Sequence, residues 1–115
     1  MRLFSRTEQT DPAGLAERLA NRSVHVVDVR QPGEWRHGHI HGSKNEPLLQ
    51  LKLRLDTLPR DKTIVTVCAS GHRSAVAARM LRRAGYRVEN LRGGMHAWRH
   101  AGHPVALLDG GPAPD

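Results

Sequence analysis

Cysteine is almost missing from this chain of 115 residues, and Cys68 is the only one. A lone cysteine excludes an intramolecular disulfide and any zinc site built on several thiolates. It also excludes an internal resolving thiol, so whatever Cys68 acquires must leave to an outside acceptor. Long apolar runs are lacking as well; nothing approaches the roughly 18 consecutive apolar residues of a membrane-spanning helix. The opening residues Met1, Arg2, Leu3, Phe4, Ser5 and Arg6 have no apolar stretch of the secretory type. The expectation is therefore a cytoplasmic protein, in a compartment that keeps one thiol reduced. Long basic runs are absent too. The formal net charge is +7, but the basic residues between Arg2 and Arg99 come singly or in pairs, which is no nucleic-acid-binding arm. A positive field of this kind is expected to steer small anions rather than to hold nucleic acid or a membrane.

What is present is one domain's worth of alternating strand and helix signals. A short first strand is expected before residue 11. Asp11 and Pro12 then give an N-cap and a first-turn proline, Leu15, Ala16 and Leu19 share a helical face, and Asn21 closes the helix. Residues 23–30 form a nearly unbroken apolar strand, the pattern of a parallel strand buried on both faces. Asp28 is its odd member, a carboxylate that needs a partner or loop N–H groups; Arg30 lies too close along the strand to be assumed as that partner. Residues 31–43 read as a polar loop. His37, His39 and His41 would share a face if it were extended, but Gly38 and Gly42 interrupt it and no metal site is expected. Leu49, Leu51, Leu53 and Leu55 alternate as in a strand, whereas Leu48, Leu51, Leu55 and Leu58 follow helical spacing; length, leucine rather than β-branched residues, and Pro47 near the start favour the helix.

A central strand follows at residues 63–67, then Cys68, a polar loop, and a helix expected to start near Ser74, with Val76, Ala77, Met80, Leu81 and Ala84 facing inward and Gly85 just past its end. A last strand at 86–91, a turn at Gly93 and Gly94, and a short helix presenting Trp98 complete the pattern. Strands alternating with helices predict an α/β domain with a mostly parallel sheet between helical layers. Residues 1–10 are expected to be an N-terminal segment holding the first strand, 11–104 the domain, and 105–115 a flexible C-terminal tail.

Cys68 ends an apolar strand, where open α/β sheets place their ligands. A thiolate is the nucleophilic form, and this loop has three means of favouring it. Backbone N–H groups of Ala69, Ser70, Gly71, His72, Arg73 and Ser74 can fold around the sulfur as a nest. The following helix adds the positive end of its dipole, and Arg73 adds a permanent charge. Gly71, without a Cβ, lets the backbone curl.

Four residues separate Cys68 from Arg73. Cysteine phosphatases use one residue more, which widens the cradle for a tetrahedral phosphate. The shorter loop makes a tighter cup, suited to one extra sulfur atom carried on Cys68. The loop is similar to the Cys-x-x-Gly-x-Arg-Ser motif of the single-domain rhodaneses, a sulfurtransferase family. Two flanking stretches agree: Asp28, Val29, Arg30, Glu34, Trp35, Gly38, His39 and Ile40 before it, and Leu91, Arg92, Gly93, Gly94 and Trp98 after it. The resemblance covers about residues 11–104.

It implies a three-layer sandwich around five mostly parallel strands. It implies Cys68 and Arg73 as catalytic residues, the loop from Ala69 to Ser74 as the substrate cradle, and Asp28, Arg30 and His39 in support. No cofactor is implied. The partners would be a small anionic sulfur donor and a thiol or cyanide acceptor, with a sulfur-relay protein as a further candidate. A turnover enzyme and a sulfur carrier serving another enzyme share this loop, so both readings stay open. Glu46 departs from the family pattern, which has an apolar residue there, and His72 occupies a variable position; either could tune the site.

Overall fold

The computed structural model describes residues 8–107 of the chain. Five parallel strands form one sheet: β1 (Glu8–Thr10), β2 (Val24–Asp28), β3 (Lys44–Asn45), β4 (Thr63–Val67) and β5 (Val88–Leu91). They lie in the order β1-β5-β4-β2-β3. Because every strand returns in the same direction, helices must cover both faces. On one side lie α3 (Leu48–Lys52) and α4 (His72–Arg83); on the other lie α1 (Pro12–Ala20) and α5 (Gly94–His100). A further helix, α2 (Pro32–Arg36), stands beyond the carboxyl end of β2.

The central strand β4 divides the core by period two. Ile64 packs under α3 and α4 with Val27, Leu51, Ala77, Ala78 and Leu81. Val65 and Val67 pack on the opposite side with Leu15, Leu91, Met95 and Trp98. Each fully buried aliphatic side chain contributes about 1.5–3 kcal/mol. Cys68 thus follows a strand packed between two apolar layers.

Local chemistry sets the helix ends. Asp11 Oδ1 accepts from the Gly14 N–H at 2.8 Å, Pro12 occupies the first turn, and Asn21 is the C-cap, as the sequence predicts. The polar loop expected at 31–43 contains α2 instead. Its start is fixed by Pro32 and by the Gln31 N–H donating to Glu34 Oε1 at 3.1 Å. The leucine-rich helix is shorter than its spacing predicts and ends at Lys52. Beyond it the chain runs through successive turns, and the Tyr86 hydroxyl donates to the Leu55 and Leu58 carbonyls at 2.7 and 3.2 Å. Those bonds satisfy carbonyls that even a helix reaching Leu58 would leave open, since residue 59 is a proline with no N–H to donate.

The last helical segment and its strand run close to expectation. Val105 and Ala106, read as the start of a loose tail, are held: Val105 packs against the core, and Ala106 exchanges backbone hydrogen bonds with His39 at 2.8 and 3.0 Å. The remainder of that tail, from 108 onward, and residues 1–7 lie outside the described residues.

Candidate active site

Cys68 directly follows β4, and its side chain belongs to the same layer as Ile64, under α3 and α4. It is 1% exposed. Burial among Val27, Val29 and Ala78 is also what an inert core cysteine would show, so the groups around the sulfur decide its character. The Gly71 N–H donates to Cys68 Sγ at 3.1 Å and the Ser74 hydroxyl donates to it at 3.2 Å. Burial pushes the thiol pKa up, but the Ser74 hydroxyl and the amides of Ser74, Gly71 and Ser70 outweigh it, and the net shift is downward. The sulfur is buried, yet its surroundings favour the thiolate more than water does.

Two departures from expectation make this possible. Helix α4 begins at His72 rather than near Ser74, with Gly71 as N-cap at φ +108°, a left-handed value that a side chain would oppose. Ser74 therefore sits inside the first turn and is fully buried, where its hydroxyl reaches the sulfur rather than capping the helix.

The loop is fastened from behind by residues whose role the sequence reading missed. Asn90 Nδ2 on β5 donates to the Gly71 carbonyl at 3.1 Å, while the Thr66 hydroxyl donates to Asn90 Oδ1 at 3.3 Å. Asn90 is 1% exposed. Asn90 between Glu89 and Leu91 gave no distinctive signal in the sequence. The first N–H groups of α5 do the same from the other side: Met95 donates to the Cys68 carbonyl at 2.8 Å and His96 to the Ala69 carbonyl at 3.0 Å. Gly94 makes that approach possible, since a Cβ there would stand 2.3 Å from the Cys68 carbonyl oxygen and 2.6 Å from that of Ala69.

Arg73 does not stand alone over the sulfur. It forms a two-pronged pair with Glu34 of α2, at 2.7 and 3.0 Å. The guanidinium holds the Glu34 carboxyl down at about 2, and Glu34 in turn raises Arg73. Cys68 also lies close enough to raise Arg73 electrostatically.

Asp28 and Arg30 are partners after all, contrary to the expectation from their spacing. Strand β2 ends at Asp28, the chain bends, and the long Arg30 side chain folds back, with Nη2 2.7 Å from Asp28 Oδ2. Arg30 Nη2 also donates to the Gly38 carbonyl at 2.8 Å. His39 is buried, stacks on Trp35 at 3.7 Å and hydrogen-bonds the Trp35 carbonyl at 2.8 Å. The Trp35 indole N–H donates to Ser43 Oγ at 3.1 Å. Together these contacts hold α2, and hence Glu34, in front of the loop.

The remaining candidates diverge. His72 is exposed, with Nδ1 3.1 Å from Ser70 Oγ. Glu46 pairs with Arg54 at 3.3 Å. His37 turns to the Gly33 carbonyl, whereas His39 is held by Trp35, so the three alternating histidines form no cluster. Among the described residues no group of three potential ligands converges on a metal. None of their helices is long and apolar enough to cross a membrane. A depression of about 670 Å³ adjoins the loop, lined by Arg30, Glu34, His37, Ala69, His96 and Arg99 among others. A second cavity of about 570 Å³ lies between α1 and Trp98, on the other face of the sheet from Cys68.

Comparison with known proteins matches this architecture. The family model described as Rhodanese-like domain covers residues 11–101. A sulfurtransferase of Allochromatium vinosum is 38% identical over 104 residues, spanning 89% of this chain and 97% of its own length. The putative sulfur carrier protein YrkF of Bacillus subtilis is 34% identical over 80 residues, 69% of this chain and 43% of that protein. The crystal structure of a rhodanese-related protein from Thermoplasma volcanium has a TM-score of 0.82 at 35% identity, covering 87% of this chain and 98% of that one.

Proposed function

The chain belongs to the rhodanese-like family, and from that premise we propose that it is a sulfurtransferase whose Cys68 takes a sulfane sulfur from thiosulfate or a persulfide donor. The observation that carries this reading is the pair of donors on the buried Cys68 Sγ, the Gly71 N–H and the Ser74 hydroxyl. With thiosulfate, the thiolate attacks the outer sulfur, a Cys68 S–S bond forms, the S–S bond of the donor breaks, and its electron pair leaves on sulfite. The loop amides and Ser74 hold the resulting persulfide anion, while Arg73, steadied by Glu34, favours negative charge on donor and leaving group. Cyanide or a thiolate then attacks the outer sulfur, and the bonding pair returns to Cys68 Sγ. No cofactor enters either step. A reducing compartment such as the cytoplasm suits this cycle, since Cys68 must stay free between turnovers.

The decisive experiment is intact-mass spectrometry after exposure to thiosulfate. One added sulfur atom that a reductant removes supports the reading, and Cys68→Ala should neither gain it nor form thiocyanate from cyanide. Turnover retained in Cys68→Ala would overturn the assignment.

The second reading is a sulfur carrier loaded by a partner enzyme. It is favoured by the single thiol and by similarity to a putative sulfur carrier protein. Loading by a persulfide-bearing desulfurase, with negligible turnover of free thiosulfate, would select it.

A further inference from the structure

Helices α3 and α4 begin beyond the carboxyl ends of the strands, where Cys68 lies. The Leu48 N–H bonds the Val29 carbonyl just past β2, and Gly71 of the active loop caps α4. On this side two leucines face solvent almost completely: Leu49 is 75% exposed and Leu53 87%. They are four positions apart, one helical turn, and Val76 on α4 adds a third large apolar residue at 39%. Single exposed leucines are ordinary, but a pair on one face beside a reactive loop marks an interaction surface. Glu46 and Asp56, which flank α3 in sequence, are paired with Arg54 and Arg60, and the charge on the two helices themselves has one sign. Neither α3 nor α4 contains an acidic residue, whereas Lys52, Arg79 and Arg83 are exposed along them.

We propose that the outer surface of α3 and α4 docks a protein acceptor that presents its thiol from an apolar, acidic face. This inference rests on the sulfur-transfer reading and names the acceptor class. Cyanide or a small thiol needs no apolar platform, whereas a protein thiol must be brought to a sulfur that is 1% exposed. Leucine contacts supply the desolvated centre, and the basic rim steers the partner and sets its register. In the transfer the acceptor thiolate forms an S–S bond to the outer sulfur of the Cys68 persulfide. The Cys68 S–S bond breaks with its electron pair returning to Sγ, so no oxidant or reductant is consumed.

The test uses two synthetic helical peptides, each with one cysteine, one leucine- and glutamate-rich and the other with lysine in place of glutamate. Persulfide-loaded protein should pass sulfur to the acidic peptide about tenfold faster than to the basic one. Leu49→Ser with Leu53→Ser, and separately Arg79→Gln with Arg83→Gln, should cut that preference to about twofold or less while cyanide turnover stays unchanged. In parallel, the acidic peptide with serine for its cysteine, fluorescently labelled, should bind Cys68→Ser protein and lose affinity in both double variants. Equal transfer to the two peptides, or a preference untouched by the double variants, overturns the docking surface. Failure of Cys68 to gain a sulfur atom from either thiosulfate or a persulfide donor instead sinks the sulfur-transfer reading, and the anisotropy measurement then judges the surface alone.

Discussion

Glu34 on α2 grips Arg73 on α4 with both carboxylate oxygens, at 2.7 and 3.0 Å, across 39 positions of sequence. The pair fixes the cation of the active loop at a set place, near enough for Cys68 to act on it electrostatically. Both side chains are 38% exposed, so solvent screens most of the attraction and its share of stability is small. Its value lies in orientation, since a guanidinium held by two bonds cannot swing away from an arriving anion.

Glu34→Gln should therefore separate activity from stability. Loss of stability is expected to stay under about 1 kcal/mol in urea unfolding. The rate of sulfur uptake from thiosulfate should fall about tenfold, because Arg73 then samples unproductive positions. The folded Glu34 carboxyl lies at about 2, below its ordinary 4.5, so what stability it adds is complete above 4.5 and disappears as pH falls toward 2. Wild type and Glu34→Gln should converge in stability at the acid end of that window. A variant with unaltered uptake kinetics would show Arg73 to be positioned by something else.

A depressed Cys68 pKa makes a separate claim. The rate of alkylation by iodoacetamide should rise with pH and level off below the ordinary thiol value of 9.0. Ser74→Ala removes the largest of the groups that lower it, so the inflection should move to higher pH. The linked stability has the matching sign: the thiolate's contribution is full above the unfolded-state value and is lost as pH falls through the folded one. An inflection indifferent to Ser74→Ala would assign the thiolate preference to the backbone amides alone.

The layered fold was legible because its signals are local and repeated: Asp11 with Pro12 at a helix start, unbroken apolar strands, and Gly85 after α4. The loop was legible because its residue types have few other uses together. What escaped notice depends on where the chain bends. Residues 28 and 30 look unpairable on a straight strand, but β2 stops at Asp28 and Arg30 folds back to 2.7 Å. The helix α2 hid behind Pro32 and Gly33, which read as a turn although Glu34 was in place to cap it. The expected leucine helix failed for the opposite reason. Its periodicity is real, but the chain turns after Lys52, and Tyr86 holds the carbonyls at 55 and 58 from a distant strand connection. Long-range hydrogen bonds of that kind leave no periodic trace.

Two glycines of similar appearance in the sequence should behave in opposite ways. Gly94 has φ +59°, and its missing Cβ is what lets α5 donate to the carbonyls of Cys68 and Ala69. Because the obstructing atoms are backbone, Gly94→Ala must push the loop and α5 apart, at a cost of about 2–4 kcal/mol in thermal or urea unfolding. Gly33 lies inside α2 with no left-handed φ, and nothing stands within 4 Å of the place a Cβ would occupy. Gly33→Ala should be neutral or stabilise by about 0.5–1 kcal/mol, since alanine loses less backbone freedom in a helix. Sulfur loading provides the second readout. At temperatures where Gly94→Ala is still folded, Cys68 should alkylate with an inflection shifted upward, because the carbonyls that anchor the cup have lost their donors. If Gly94→Ala were as stable as the parent and loaded sulfur normally, the close packing of α5 on the active loop would have no part in shaping the site.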